Sequence, residues 1–158
     1  MTAIEELISM SGNALAPRPD TMPEFLDAYV LGASLFHMLQ LKNGFYAFES
    51  ALHVFPVTSD PETGLQAWND GSLWRGEYRD LAEGLLFFAE DIFQDQFCLS
   101  RKQNHLLRFH AETGGTTFVA DSLEAWARVI LSNHKVEQAG HWHMNGKRRT
   151  GRCLRESA

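Results

Sequence analysis

Apolar positions repeat with a helical period over the first part of the chain and with a strand period from Phe45 onward. Ile4, Leu7 and Ile8 fall on one face of a helix predicted over residues 3–10. Residues 13–20 contain Pro17 and Pro19, break the pattern and read as a connector. Pro23 suits the start of a second helix through Phe25, Leu26 and Tyr29, which Gly32 weakens or ends. A third helix from about Ser34 groups Leu35, Met38 and Leu39, and Leu41 extends its apolar run. Asn43 and Gly44 stop it, since both residue types tolerate a left-handed cap.

From Phe45 the period becomes two. Tyr46, Phe48, Ser50, Leu52 and Val54 alternate with Ala47, Glu49, Ala51, His53 and Phe55, as one or two strands that Pro56 ends. Ser59-Asp-Pro-Glu-Thr-Gly64 is a turn cluster, and Leu65 to Trp68 begin a short helix that Asn69-Asp-Gly71 ends. Leu73, Trp74 and Tyr78 read as apolar anchors in an irregular stretch. The unbroken run Leu85-Leu-Phe-Phe-Ala89 fits a central strand, followed by Phe97-Cys-Leu99, residues 105–110 and residues 116–120. Ala111-Glu-Thr-Gly-Gly115 makes a tight turn between the last two. Asp121 and Glu124 have the spacing of a reciprocal helix cap, and Leu123, Trp126, Ala127 and Ile130 give that helix one apolar face before it fades near Asn133 or Glu137. The prediction is an α+β domain with an antiparallel or mixed sheet, a meander in its second half, and flanking helices. Residues 1–22 form a helix and connector, 23–137 the domain, and 138–158 a basic, flexible tail.

Length and composition agree with this: 158 residues, 44% of them hydrophobic, are enough for a sizeable core. Charge adds more. Residues 1–133 hold 8 basic and 18 acidic side chains, a net of −10, whereas residues 134–158 hold 6 and 2, a net of +4. An acidic body disfavours a nucleic-acid backbone and either steers basic proteins toward itself or only keeps the domain soluble. Two cysteines, Cys98 in an apolar run and Cys153 in the tail, are too few for a disulfide framework and point to a reducing, cytoplasmic setting. The N-terminus lacks the pattern of a secretory signal, and no apolar run is long enough to span a membrane.

No catalytic constellation stands out. Ser50, Ser59, Ser72 and Ser122 each have a strand, turn or cap reading, and no Gly-x-Ser-x-Gly elbow is present. His53 and His105 read as structural histidines. His141, His143 and Cys153 are zinc-type ligands at no strong zinc spacing, so no metal or cofactor is expected. Lys147, Arg148, Arg149, Arg152 and Arg155 form a basic cluster able to touch phosphate. Glu90, Asp91 and Asp95, interleaved with Phe93 and Phe97, lie in a link between two strands and read as a structural turn or a partner contact, ahead of acid–base or Mg²⁺ chemistry.

Three stretches together resemble the SMI1/KNR4 (SUKH) superfamily over roughly residues 23–133. They are Pro23-Glu-Phe-Leu26 leading to Leu41-Lys-Asn-Gly-Phe-Tyr-Ala-Phe-Glu-Ser-Ala-Leu-His-Val-Phe55; then Gly84-Leu-Leu-Phe-Phe-Ala-Glu-Asp91 with Asp95-Gln-Phe-Cys98; and Phe109-His-Ala-Glu-Thr-Gly114 with Phe118-Val-Ala-Asp-Ser-Leu-Glu-Ala-Trp126. Gln94 stands where the family commonly has a small turn residue, and the basic tail lies outside the family core. The resemblance implies an α+β fold and a non-enzymatic immunity protein that binds and blocks a cognate toxin domain, often a nuclease or deaminase. A scaffold of the same fold is the alternative, and a small enzyme or metal protein a third. Since a nuclease holds phosphates on a basic face, the acids expected to meet it are Glu90, Asp91 and Asp95, with Glu49 and Glu62 as weaker candidates. Reversing Asp91 and Asp95 is expected to slow association and leave the fold intact.

Overall fold

Every apolar run assigned to a strand in the second half is a strand. The computed structural model describes residues 1–58, 64–70, 84–92 and 95–144, with side chains to residue 133. The elements are α1 (Ala3–Ser9), α2 (Glu24–Asp27), α3 (Gly32–Leu41), β1 (Phe45–Ala47), β2 (Leu52–Val54), α4 (Leu65–Trp68), β3 (Leu85–Asp91), β4 (Gln96–Ser100), β5 (Leu106–Phe109), β6 (Thr116–Ala120) and α5 (Leu123–Met144). All neighbouring strands pair antiparallel in the order β1-β2-β3-β4-β5-β6, so the meander covers the whole sheet. The chain is an α+β protein with an antiparallel sheet packed against helices. Glu62, Leu73, Trp74, Tyr78, Phe93, Gln94 and Cys153, and the basic cluster at 147–155, lie outside the described residues.

The unbroken apolar run of β3 follows from burial on both faces. Phe87 meets Phe109 edge to face and clusters with Leu85, Cys98, Leu107 and Trp68. Phe88 meets Trp126 at the start of α5, which also meets Phe97 of β4. A strand covered on both sides has no reason to alternate.

Residues 1–127 form one compact unit, and long-range caps tie its N-terminal segment in. Thr2 and Glu5 make a capping box on α1. The backbone N–H of Thr2, then its hydroxyl, hold the Glu5 carboxyl below the usual range. That contribution is present above the carboxyl's unfolded pKa and is lost as pH falls through the folded one. Glu124, expected to cap its own helix, instead accepts from Ala3 N (2.7 Å) and Ile4 N (3.2 Å) at the start of α1. The cap of α5 is Ser122, whose hydroxyl accepts from Ala125 N (3.0 Å), while Asp121 is exposed. The helix begins one residue later than the spacing of Asp121 implied.

Residues 42–44 form a hub. Lys42 Nζ donates to Ile8 O (3.0 Å), Ser11 Oγ (2.9 Å) and Gly12 O (2.8 Å), placing a cation at the carbonyl end of α1. Asn43, buried, donates to Pro17 O (2.7 Å) and Val57 O (2.8 Å) and accepts from Val57 N (2.8 Å). Gly44 has φ +78°, and a Cβ there would lie 2.7 Å from Pro56 Cβ. Gly32 opens α3 and does not end the preceding helix. A Cβ on it would come within 1.8 Å of the Leu26 carbonyl oxygen, so only glycine permits this approach.

The second unit, Arg128–Ala158, carries the rest of α5. The helix runs to Met144, beyond the end expected near Asn133 or Glu137, so residues 138–144 are helical where a loose tail was expected. No proline interrupts the stretch, and its lone Gly140 costs only about 1 kcal/mol.

Candidate partner-binding site

An antiparallel meander places alternate turns at the same end of its sheet. Here the β1–β2 turn at 48–51, the β3–β4 link at 92–95 and the β5–β6 turn at 110–115 share one end. Backbone and side chain bind them side by side. Ile92 N donates to Ala51 O (3.1 Å), and Ala111 N to Asp95 Oδ1 (3.1 Å). Four of the five candidate acids, Glu49, Glu90, Asp91 and Asp95, therefore come together; Glu62 lies outside the described residues.

The first turn has an unusual backbone. Phe48, Glu49 and Ser50 have φ of 56°, 57° and 73°, one left-handed turn made without glycine. Each such residue costs roughly 1–2 kcal/mol. The alternation of Phe48 and Ser50 with their neighbours hides this turn, which separates the two strands that the sequence left as one or two. Glu49 and Ser50 are exposed on it.

Asp91 and Asp95 have an internal role. Arg108 Nη1 donates to Asp91 Oδ2 (2.6 Å) and Asp95 Oδ2 (3.3 Å). Its guanidinium also lies 4.9 Å from the centre of the Phe97 ring. Asp95 N donates to Asp91 Oδ1 (3.2 Å), and His110 Nδ1 stands 3.4 Å from Asp95 Oδ2. The three charged side chains are 14–29% exposed. This pair thus buttresses the link and the last turn, and the expectation that its reversal leaves the fold intact is revised. Arg108→Ala is expected to lower unfolding free energy by about 2 kcal/mol, because two partly buried carboxylates lose their shared cation. Urea unfolding measures it; an unchanged midpoint would contradict the buttress.

The acids free to face outward are Glu49 and, beyond the sequence-based candidates, Glu112 on the last turn. The link between those two turns carries Ile92, 61% exposed. Neither Ile92 nor Glu112 carries a local signal; only the stacking of turns brings them beside Glu49.

Adjoining this end is a groove of about 380 Å³ lined by Leu15, Tyr46, His53, Phe55, Pro56, Trp68 and Glu90. The register sets Tyr46 opposite His53 and His53 opposite Glu90, one row across three strands. Tyr46 stacks on His53 at 4.3 Å, and Phe55 on Trp68 at 4.9 Å. Trp68 Nε1 donates to Gln96 Oε1 (2.7 Å), which fixes that wall. His53 Nδ1 is 3.5 Å from Glu90 Oε1. His53, expected as a structural histidine, packs against the rings of Tyr46 and Phe55 and also lines the groove.

Among the described residues no group of three or more His, Cys, Asp or Glu is placed to hold a metal, and no helix is long and apolar enough to cross a membrane. The side chains of His141 and His143 lie outside the described ones. No protein-family model, curated protein or solved structure matches the chain.

Proposed function

We propose that this chain is a non-enzymatic, cytoplasmic immunity protein that neutralises a cognate bacterial toxin domain, a nuclease or deaminase, by stoichiometric binding. The observation that carries the reading is the end of the sheet where exposed Glu49 and Glu112 stand on the two turns either side of the link bearing exposed Ile92; Ile92 N ties that link to the first turn, and the Arg108 cluster ties it to the last. An apolar centre with an acidic rim is the complement of a basic protein face, and hydrogen bonds from Ile92 to Ala51 and from Ala111 to Asp95 lower the ordering cost of binding. The left-handed turn at 48–50 adds support, since backbone strain concentrates at contact sites. The SMI1/KNR4-like order of motifs points the same way. Inhibition would be occlusion, with no turnover.

The test is capture of the tagged full chain from its native cells at low and moderate salt, followed by expression of the captured partner's domains alone and with this chain. The reading predicts an equimolar partner with a basic domain that arrests growth by itself and is silenced by co-expression. A stable partner whose domains are harmless would replace it with a scaffold role.

A further inference from the structure

The groove beside the acidic end differs chemically from that end. Among the described residues its walls are four rings, Tyr46, His53, Phe55 and Trp68, with Leu15 and Pro56, and its one carboxylate is Glu90. At about 380 Å³ it stands near the lower limit of ligand-sized cavities, roughly 300–1,000 Å³, and suits a side chain better than a large cofactor. Glu90 is the part that an apolar guest would leave without compensation. Its side chain is 30% exposed, and its ion partner among the described residues is His53, a cation only when protonated. An anion would meet this carboxylate at close range. A cation would meet both the carboxylate and the electron-rich faces of aromatic rings.

The geometry points to this groove as a receptor for one arginine side chain of the protein partner, with Glu90 accepting from the guanidinium while the rings take its flat face. The assignment rests on the protein-binding reading above and names the contact that gives it specificity. Arginine fits better than lysine because its planar group stacks on rings, forks onto a carboxylate and is more weakly hydrated. A basic partner attracted to Glu49 and Glu112 supplies arginines in the neighbourhood, and the acidic balance of the chain favours the same charge. A buried arginine in an aromatic pocket is a frequent hot spot of protein interfaces. The row Tyr46–His53–Glu90 lies on paired strands, and Trp68 is held by Gln96, so the receptor is formed before the partner arrives.

The experiment is an NMR titration of the ¹⁵N-labelled full chain with N-acetyl-arginine amide and, separately, with the neutral N-acetyl-citrulline amide of nearly the same shape. The arginine probe is expected to shift the signals of Tyr46, His53, Trp68 and Glu90. Citrulline should bind at least about tenfold more weakly, and Glu90→Gln should weaken the arginine probe by a similar factor. Tyr46→Ala, at an exposed position, should weaken it roughly threefold or more and serves if Glu90→Gln perturbs the fold. Equal affinity for the two probes, or shifts confined to other parts of the chain, would overturn the assignment. A captured partner with the same affinity for wild type and Glu90→Gln would also overturn it and leave the protein-binding reading standing. Charge-selective probe binding in a chain that captures no partner would sustain the groove alone.

Discussion

Trp126→Ala is expected to destabilise the protein by about 4 kcal/mol, whereas Trp126→Phe should cost about 1 kcal/mol or less. Trp126 is fully buried, with Phe88 at 5.1 Å and Phe97 at 5.6 Å, both edge to face. Truncation to alanine opens a cavity between α5 and the sheet and removes two aromatic pairs. The indole Nε1, however, is buried and has no hydrogen-bond partner among the described residues. An unpaired buried donor costs about 1–3 kcal/mol, so phenylalanine removes a liability while keeping most of the packing. Guanidinium unfolding at constant slope checks both values. A phenylalanine variant as unstable as the alanine one would show that the indole N–H contributes to stability.

Asn43→Ala is expected to cost about 3 kcal/mol, and Asn43→Asp should not rescue it. The side chain makes three hydrogen bonds from a site 2% exposed, each worth about 1 kcal/mol, and its loss leaves Val57 N and two carbonyls short of partners. Aspartate keeps the acceptor for Val57 N but turns a carboxylate toward the carbonyls of Pro17 and Val57. The consequence reaches the groove. The Asn43 side chain ties Pro17, in the connector bearing Leu15, to Val57, which follows Phe55 and Pro56, so both parts of the groove lose a support, while the backbone bonds from Leu15 N and Ala16 N to Asn43 O (3.2 Å each) remain. Thermal unfolding of the two variants, with groove signals followed by NMR, reads both effects. An alanine variant within 1 kcal/mol of wild type would contradict the hub.

The fold was legible where local pattern and burial coincide. Strands β3 to β6 and the apolar face of α5 follow from runs such as Leu85–Ala89 and the spacing of Leu123, Trp126, Ala127 and Ile130. What escaped depends on long-range partners. Asn43 reads as a local helix stop, yet its bonds go to residues 17 and 57. Glu124 reads as a cap for its own helix, yet it caps α1. Three left-handed residues at 48–50 carry no glycine to announce them. The candidate acids divide for the same reason. Asp91 and Asp95 lie within five positions of Glu90 in sequence, but Arg108, a basic residue in an otherwise apolar strand, takes them inward. Glu112 becomes a neighbour of Glu49's end only through the meander. The Tyr46–His53–Glu90 row exists only once three strands are in register.

The central claim is that the acidic end of the sheet meets a basic protein partner. Its most direct test is the association rate of the captured partner with wild type and with the double variant Glu49→Lys/Glu112→Lys, across a range of salt. Both positions are exposed, and unfolding should be unchanged. The account predicts association slower by about tenfold or more at low ionic strength, a smaller change in dissociation, and convergence of the two proteins as salt rises. Equal association rates at low salt would contradict it.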